Sequence, residues 1–255
     1  MFHVKHSFYE EGASVVDYRR CVTFHVKQWG AKMIKGVIFD FNGTLYFDEE
    51  IAEEAFHHLF REMGYPEDNF TEMFLYARRN PFSAFLLKVG KELNRTYTEA
   101  EKEYYIGRLS HHYRRSCRES GQNGPAPGVE ELLDQLKEKG YKLNLCTATV
   151  KETVDFYYEH TGLGKWFDRS LTAFDDGVTR DKKEMYRQAA ENIGLDPKDC
   201  LVFEDSLNCI NDAITVGYER FIYVNHYGHE KAAQKEVLQE IKDYHELDRS
   251  LFTEE

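Results

Sequence analysis

Lys35-Gly36-Val37-Ile38-Phe39-Asp40-Phe41-Asn42-Gly43-Thr44-Leu45 is a short apolar run that ends in a carboxylate and then meets a glycine and a hydroxyl. It reads as a buried strand that delivers Asp40 to the edge of a sheet and then turns sharply. A buried strand has no structural use for an acid at its carboxyl end, because an unpaired charge there is costly unless a metal or hydrogen bonds compensate it. Asp40 therefore marks a place where something binds.

Outward from this strand, Asp48 to about Gly121 is expected to be helical. Ile51, Ala55, Leu59, Phe60 and Met63 mark one apolar helix face that ends at Gly64-Tyr65-Pro66. Further apolar faces run through Phe70 to Leu75, Phe82 to Val89 and Tyr104 to Tyr113, with breaks expected at Asn80-Pro81 and Gly90. Their aromatic residues are read as the inner faces of a small bundle. After Pro125-Ala126-Pro127-Gly128 the pattern alternates strand and helix, as in a parallel sheet with crossover helices. Strands are expected at Leu143 to Cys146, Ser170 to Thr172, Cys200 to Phe203 and, as the last, Phe221 to Val224. Helices are expected at Val129 to Lys139, Val150 to His160, Lys182 to Ile193 and Leu207 to Val216, with a surface helix and tail over the last thirty residues. Residues 1–32 form an extension of unassigned role, 33–47 and 122–255 the α/β core, and 48–121 a helical insertion.

Three of these strands finish on polar residues: Asp40, Thr147 and the pair Glu204-Asp205. In an open parallel sheet, ligands bind outside the carboxyl ends of the strands, so these residues would share one rim. Thr147 alone reads equally well as a helix cap. Together, Asp40, Glu204 and Asp205 crowd negative charge that a cation must relieve, and oxygen-only donors suit Mg²⁺ better than Zn²⁺. Carboxylates, a metal and a hydroxyl are equipment for attacking a phosphoryl group. A cation for the phosphate is expected from Lys182 or Lys183, at a helix start, with Arg180 as a third option.

The motif order resembles that of haloacid-dehalogenase-superfamily (HAD) hydrolases, in the subgroup with a helical cap inserted after the first motif. Asp40-Phe41-Asn42-Gly43-Thr44 resembles the family's D-x-D-G-T, Thr147 its second-motif Ser/Thr, Lys182 its third-motif lysine, and Val202-Phe203-Glu204-Asp205-Ser206 its acidic fourth motif. The segments Pro127 to Leu133 and Gly162 to Asp168 are also similar, and the resemblance spans about Met33 to Val224. It implies a Rossmann-like α/β core with a helical cap. Asp40 would be the nucleophile that forms an aspartyl-phosphate, and Mg²⁺ would be held by Asp40, the Asn42 carbonyl, Glu204 and Asp205. Gly43, Thr44, Thr147, Ala148 and Lys182 would bind substrate, with Arg78 and Arg79 contacting it from the cap. Asn42 departs from the family, whose phosphatases carry a general acid-base Asp there. Loss of such a group costs about 10²- to 10⁴-fold in rate, since an amide neither gives nor takes a proton. The readings are thus a phosphatase for a small phosphorylated metabolite, a weakly active or non-catalytic phosphate-binding protein, and a sugar phosphomutase.

Composition bounds the partners. A chain of 255 residues with net charge -12 has the wrong sign for a general nucleic-acid surface; Arg78-Arg79 and Arg114-Arg115 are local exceptions. Five cysteines without CxxC spacing suggest neither a zinc site nor a disulfide framework, and hence a reducing, cytoplasmic setting. No apolar run approaches the roughly 18 residues of a membrane span. The oligomeric state is not legible.

Overall fold

The computed structural model describes residues 33–80, 82–172 and 181–252; the amino-terminal extension expected over residues 1–32 lies outside them. Six strands form one sheet in the order β3-β2-β1-β4-β5-β6, all pairings parallel. They are β1 (Gly36–Phe39), β2 (Lys142–Cys146), β3 (Arg169–Leu171), β4 (Cys200–Glu204), β5 (Phe221–Val224) and β6 (Val237–Ile241). All four residues of β1 are buried, as a central strand covered on both faces requires. Each such Val, Ile or Phe contributes about 1.5–3 kcal/mol by burial.

Alternation along the strands sorts their side chains between two layers. Val37, Phe39, Leu143, Leu145, Leu201 and Phe203 share a core with α5 (Val129–Glu138) and α6 (Lys151–Thr161). Ile38, Cys146, Cys200 and Val202 join α7 (Lys182–Asn192) and α8 (Leu207–Thr215) on the other side. The chain leaves β1 for β2 and β3 on one side and returns to β4 on the other. That reversal is the topological switch point at which open α/β sheets bind ligands. The register Phe39↔Leu145 and Phe39↔Phe203 brings the ends of β2, β1 and β4 to one level.

Between β1 and α5 lie α1 (Glu49–Met63), α2 (Phe70–Arg79), α3 (Phe82–Glu92) and α4 (Glu99–Ser120). Phe56, Phe60, Phe70, Phe74 and Phe85 meet edge-on or stacked at centroid distances of 5.1–5.9 Å, so the aromatic pattern is bundle core. Thr98 and Glu101 form a reciprocal capping box at the start of α4.

Two expectations are corrected. Gly90 does not break a helix but sits inside α3, where an added Cβ would lie 2.5 Å from the Arg95 carbonyl oxygen. It is a point of close approach. The carboxyl-terminal stretch is not a surface helix: Val237–Ile241 is the edge strand β6, paired with β5, and short 3₁₀ turns follow at Tyr244–Glu246 and Arg249–Phe252. Beyond it, Tyr244 stacks on Phe203 and donates its hydroxyl hydrogen to the Thr44 carbonyl, bracing the turn after β1.

Candidate active site

Asp40 follows β1 directly, 6% exposed, with its N–H donating to the Phe203 carbonyl at 3.0 Å. Asp181 caps α7 by accepting from the Lys183 N–H, which sets Lys182 in the first turn. From there Lys182 Nζ reaches Asp40 Oδ1 at 2.6 Å, the Cys146 carbonyl at 3.3 Å and Glu204 Oε2 at 3.6 Å. Of the two cations among the described residues that the sequence put forward, Lys182 meets Asp40. Lys183 turns outward to Asp212 at 3.6 Å, and Arg180 lies outside the described residues.

Glu204 is 1% exposed and held by the Tyr186 hydroxyl and the Ser206 N–H. Asp205 leans over the turn: Gly43 has φ +76°, and a Cβ there would collide with the Asp205 carboxylate. The position needs glycine twice over, for its left-handed backbone and for room. One ligand atom from each of Asp40, Glu204 and Asp205 falls within 4.8 Å of the others.

This crowding shows in the charges. Burial pushes the Asp40 carboxyl up to about 7 against the pull of Lys182, with Glu204 and Asp48 adding to the rise. Burial first, then Glu204 and Asp40, push Asp205 well above the carboxylate range, and Arg78 opposes them. Burial works against the Arg78 charge, but Asp48, Asp205 and Glu49 raise its guanidinium above the ordinary arginine value, so α2 aims a cation at this rim. The side chain of Arg79 lies outside the described residues.

Thr147 is 2% exposed, and its N–H donates to the Leu171 carbonyl. It does not cap α6, whose N-cap is Val150. Its Oγ1 accepts from the Thr149 N–H at 3.3 Å, in the loop that carries the exposed Ala148. Thr44 is fully buried, and its hydroxyl has no hydrogen-bond partner among the described residues. Asn42 makes the densest contacts: its Nδ2 lies 2.7 Å from Asp48 Oδ2, 3.0 Å from the Tyr157 hydroxyl and 3.1 Å from the Tyr113 hydroxyl, and its Oδ1 accepts from Thr149 Oγ1 at 3.0 Å.

A profile of haloacid dehalogenase-like hydrolases matches residues 34–211, from the start of β1 into α8. The chain belongs to the haloacid dehalogenase-like hydrolase family. Among curated relatives of this HAD-like hydrolase, YhcW of Bacillus subtilis, named as a phosphatase, is 31% identical over 180 residues, 69% of this chain and 77% of that protein. The phosphorylated carbohydrates phosphatase of Thermotoga maritima is 27% identical over 210 residues, 76% of this chain and 86% of that protein. Family and relatives together support a phosphoric monoester hydrolase. The fold is shared with a family IA HAD hydrolase from Entamoeba histolytica (TM-score 0.72, 22% identity, 86% of this chain and 97% of that one). It is also shared with CbbY of Rhodobacter sphaeroides in complex with xylulose-1,5-bisphosphate (TM-score 0.68, 22% identity, 84% and 96%).

The sequence pattern did not mark Asp48, Tyr113, Tyr157 or Tyr186 as site residues of the HAD-like hydrolase. Only Tyr186 carries a local signal: it stands four residues after Lys182, on the same helix face, and its hydroxyl is the donor to Glu204.

The raised Asp40 value makes stability depend on pH. Unfolded, the group titrates near 3.8 and folded near 7, so between these values the folded chain binds more protons. Its contribution is fully present below about pH 4 and lost as pH rises through about 7. A divalent cation bound there would favour the ionised carboxylates and offset that loss. Mg²⁺ should therefore raise the thermal midpoint more at about pH 8 than at about pH 5. Equal shifts at both would contradict the link between cation and carboxylates.

Proposed function

We propose that this HAD-like hydrolase is a Mg²⁺-dependent phosphatase that hydrolyses a small phosphomonoester through an aspartyl-phosphate on Asp40. The observation that carries the reading is the buried Asp40–Lys182 pair, 2.6 Å apart, beside the Glu204 and Asp205 carboxylates. The donor set fits Mg²⁺: three oxygen ligands converge, and the raised Asp40 and Asp205 values report charge without enough compensation. Asp40, Asp205 and the Asn42 carbonyl would hold the ion, with Glu204 assisting. Bound there, it would withdraw charge from the phosphoryl oxygens.

In the first half-reaction, Asp40 attacks phosphorus, the ester P–O bond breaks, and its electron pair leaves with the alcohol oxygen, which takes a proton from solvent. In the second, water attacks the aspartyl-phosphate and gives a proton to solvent, the bond to Asp40 breaks and inorganic phosphate departs. Lys182 keeps the attacking carboxylate aimed and offsets the phosphate charge, and Thr147, Gly43, Thr44 and Ala148 line the anion's place. Arg78, drawn toward Asp205 and Asp48 from the insertion, is suited to a second anionic group on the substrate. Among the described residues the four cysteines are free, and three of them are buried, which agrees with a cytoplasmic setting.

One observation favours a second reading. Asn42 cannot transfer a proton, which points to a slow enzyme or a phosphate-binding protein and counts most against a mutase. Phosphate release from a panel of phosphomonoesters, with and without Mg²⁺, separates them: a binding protein takes up phosphate without turnover. Calorimetric titration with Mg²⁺ should give saturable binding to the unmodified chain and none to Asp205→Ala. Equal binding in both sinks the metal assignment.

A further inference from the structure

Every polar atom of the Asn42 side chain is engaged, and its partners come from four other parts of the chain. Asp48 opens α1, Tyr113 belongs to α4 of the insertion, Tyr157 to α6 of the core, and Thr149 to the loop after β2. Asp48 is 1% exposed; its Oδ1 accepts from the Gly43 N–H at 3.0 Å, and its Oδ2 accepts from the Tyr113 hydroxyl. Rings close the cluster: Phe41 stacks on Tyr157 at 3.9 Å, and Tyr113 meets Tyr157 edge-on at 5.6 Å.

Counting hydrogens decides what this cluster requires. A carboxylate only accepts, a primary amide has two hydrogens to give, and each hydroxyl has one. Tyr113 gives its hydrogen to Asp48 and Thr149 gives its own to Asn42 Oδ1, so the contact between positions 42 and 48 depends on a hydrogen from the amide. A carboxylate at position 42 would set two acceptors 2.7 Å apart, and only an added proton or a turned side chain could put a hydrogen between them.

We propose that Asn42 and Asp48 are a reciprocal donor–acceptor pair that docks α4 of the insertion onto the nucleophile's turn, with Asp48 and Tyr113 acting as positioning residues for Asp40. The residue two places after the nucleophile is then a pin between insertion and core. The complement, not the identity of each partner, is what the cluster needs. Exchanging the two side chains preserves it: an amide at position 48 gives one hydrogen to a carboxylate at position 42 and still accepts from the Gly43 N–H, and the Tyr113 hydroxyl, 3.1 Å from the side chain at position 42, turns its hydrogen to that carboxylate.

The test is amide hydrogen exchange across Asn42 to Asp48 in the full chain, on Asn42→Asp, Asp48→Asn and the double variant. Each single variant should exchange about tenfold faster than the unmodified chain, and the double variant should return to within about threefold of it. Singles that exchange like the unmodified chain, or a double variant as fast as the faster single, overturn the pair. The positioning role rests on the phosphatase reading and has its own arm, with an aryl phosphate as substrate. Tyr113→Phe keeps the ring and loses the donor; it should lower kcat at least about fivefold with KM within about twofold. An unchanged kcat overturns positioning. If the unmodified chain itself turns nothing over, the phosphatase reading fails together with this arm, while exchange still decides the pair.

Discussion

Asp40→Asn is expected to lower phosphate release by about 10³-fold or more while the protein stays folded. The amide matches the carboxylate in shape and cannot form the acyl phosphate. Stability should hold or rise at neutral pH, because burial disfavours the ionised Asp40 and its removal relieves crowding against Glu204 and Asp48. Lys182 keeps Glu204 as a partner at 3.6 Å. Lost turnover would then belong to chemistry and not to unfolding. The measurement is steady-state phosphate release beside a thermal melt; a variant that keeps a tenth of the activity rules out Asp40 as nucleophile.

Lys182→Met should do the opposite to stability. Lys182 is held well above the usual lysine value: burial opposes its charge, and Asp40 and Glu204 more than restore it. Removing the ammonium leaves carboxylates buried without it, a loss of about 3–5 kcal/mol for a broken buried pair. On the alkaline side, the raised lysine value means this stabilisation is lost as pH rises beyond the lysine range. The deficit should shrink in acid, because Asp40, raised by burial to about 7, is protonated there and no longer needs the cation. Urea denaturation at about pH 8 and about pH 5 reads both. An equal deficit at the two would mean that Lys182 contributes packing alone. Turnover should fall as well, since the group that aims Asp40 is gone.

What could be read from the sequence follows from where each contact lies. β1 and β4 are apolar runs buried on both faces, and β2 is apolar and buried apart from the exposed Lys142 and the buried Asn144, so their polar ends at Asp40, Thr147 and Glu204 stand out in one dimension. Helix position narrowed the cation to Lys182, Lys183 or Arg180, and only the resemblance of the motif order singled out Lys182. β6 was hidden because it is an edge strand: Val237, Gln239 and Glu240 are half-exposed and Leu238 is exposed, so neither strand alternation nor a continuous apolar run survives. The cluster around Asn42 was hidden by distance along the chain. Tyr113 and Tyr157 lie 71 and 115 residues away, and nothing local distinguishes them from the other core tyrosines.

The hydroxyl of Tyr244 braces the carbonyl of Thr44 across 200 residues of sequence. At about 5–20 residues per second, a ribosome needs about 10–40 s to make the chain between them. Throughout that interval the turn bearing Asp40 lacks this support, and until Cys200–Glu204 is made β1 has no β4 beside it. The helices of the insertion, whose contacts are mostly among themselves, can form early, whereas the reactive end of β1 waits for almost the last segment to be made. A chain stopped between Asp205 and Tyr244 should therefore keep its carboxylates and Lys182 but lose the brace on the Thr44 carbonyl, and with it the order of the turn that bears Asp40.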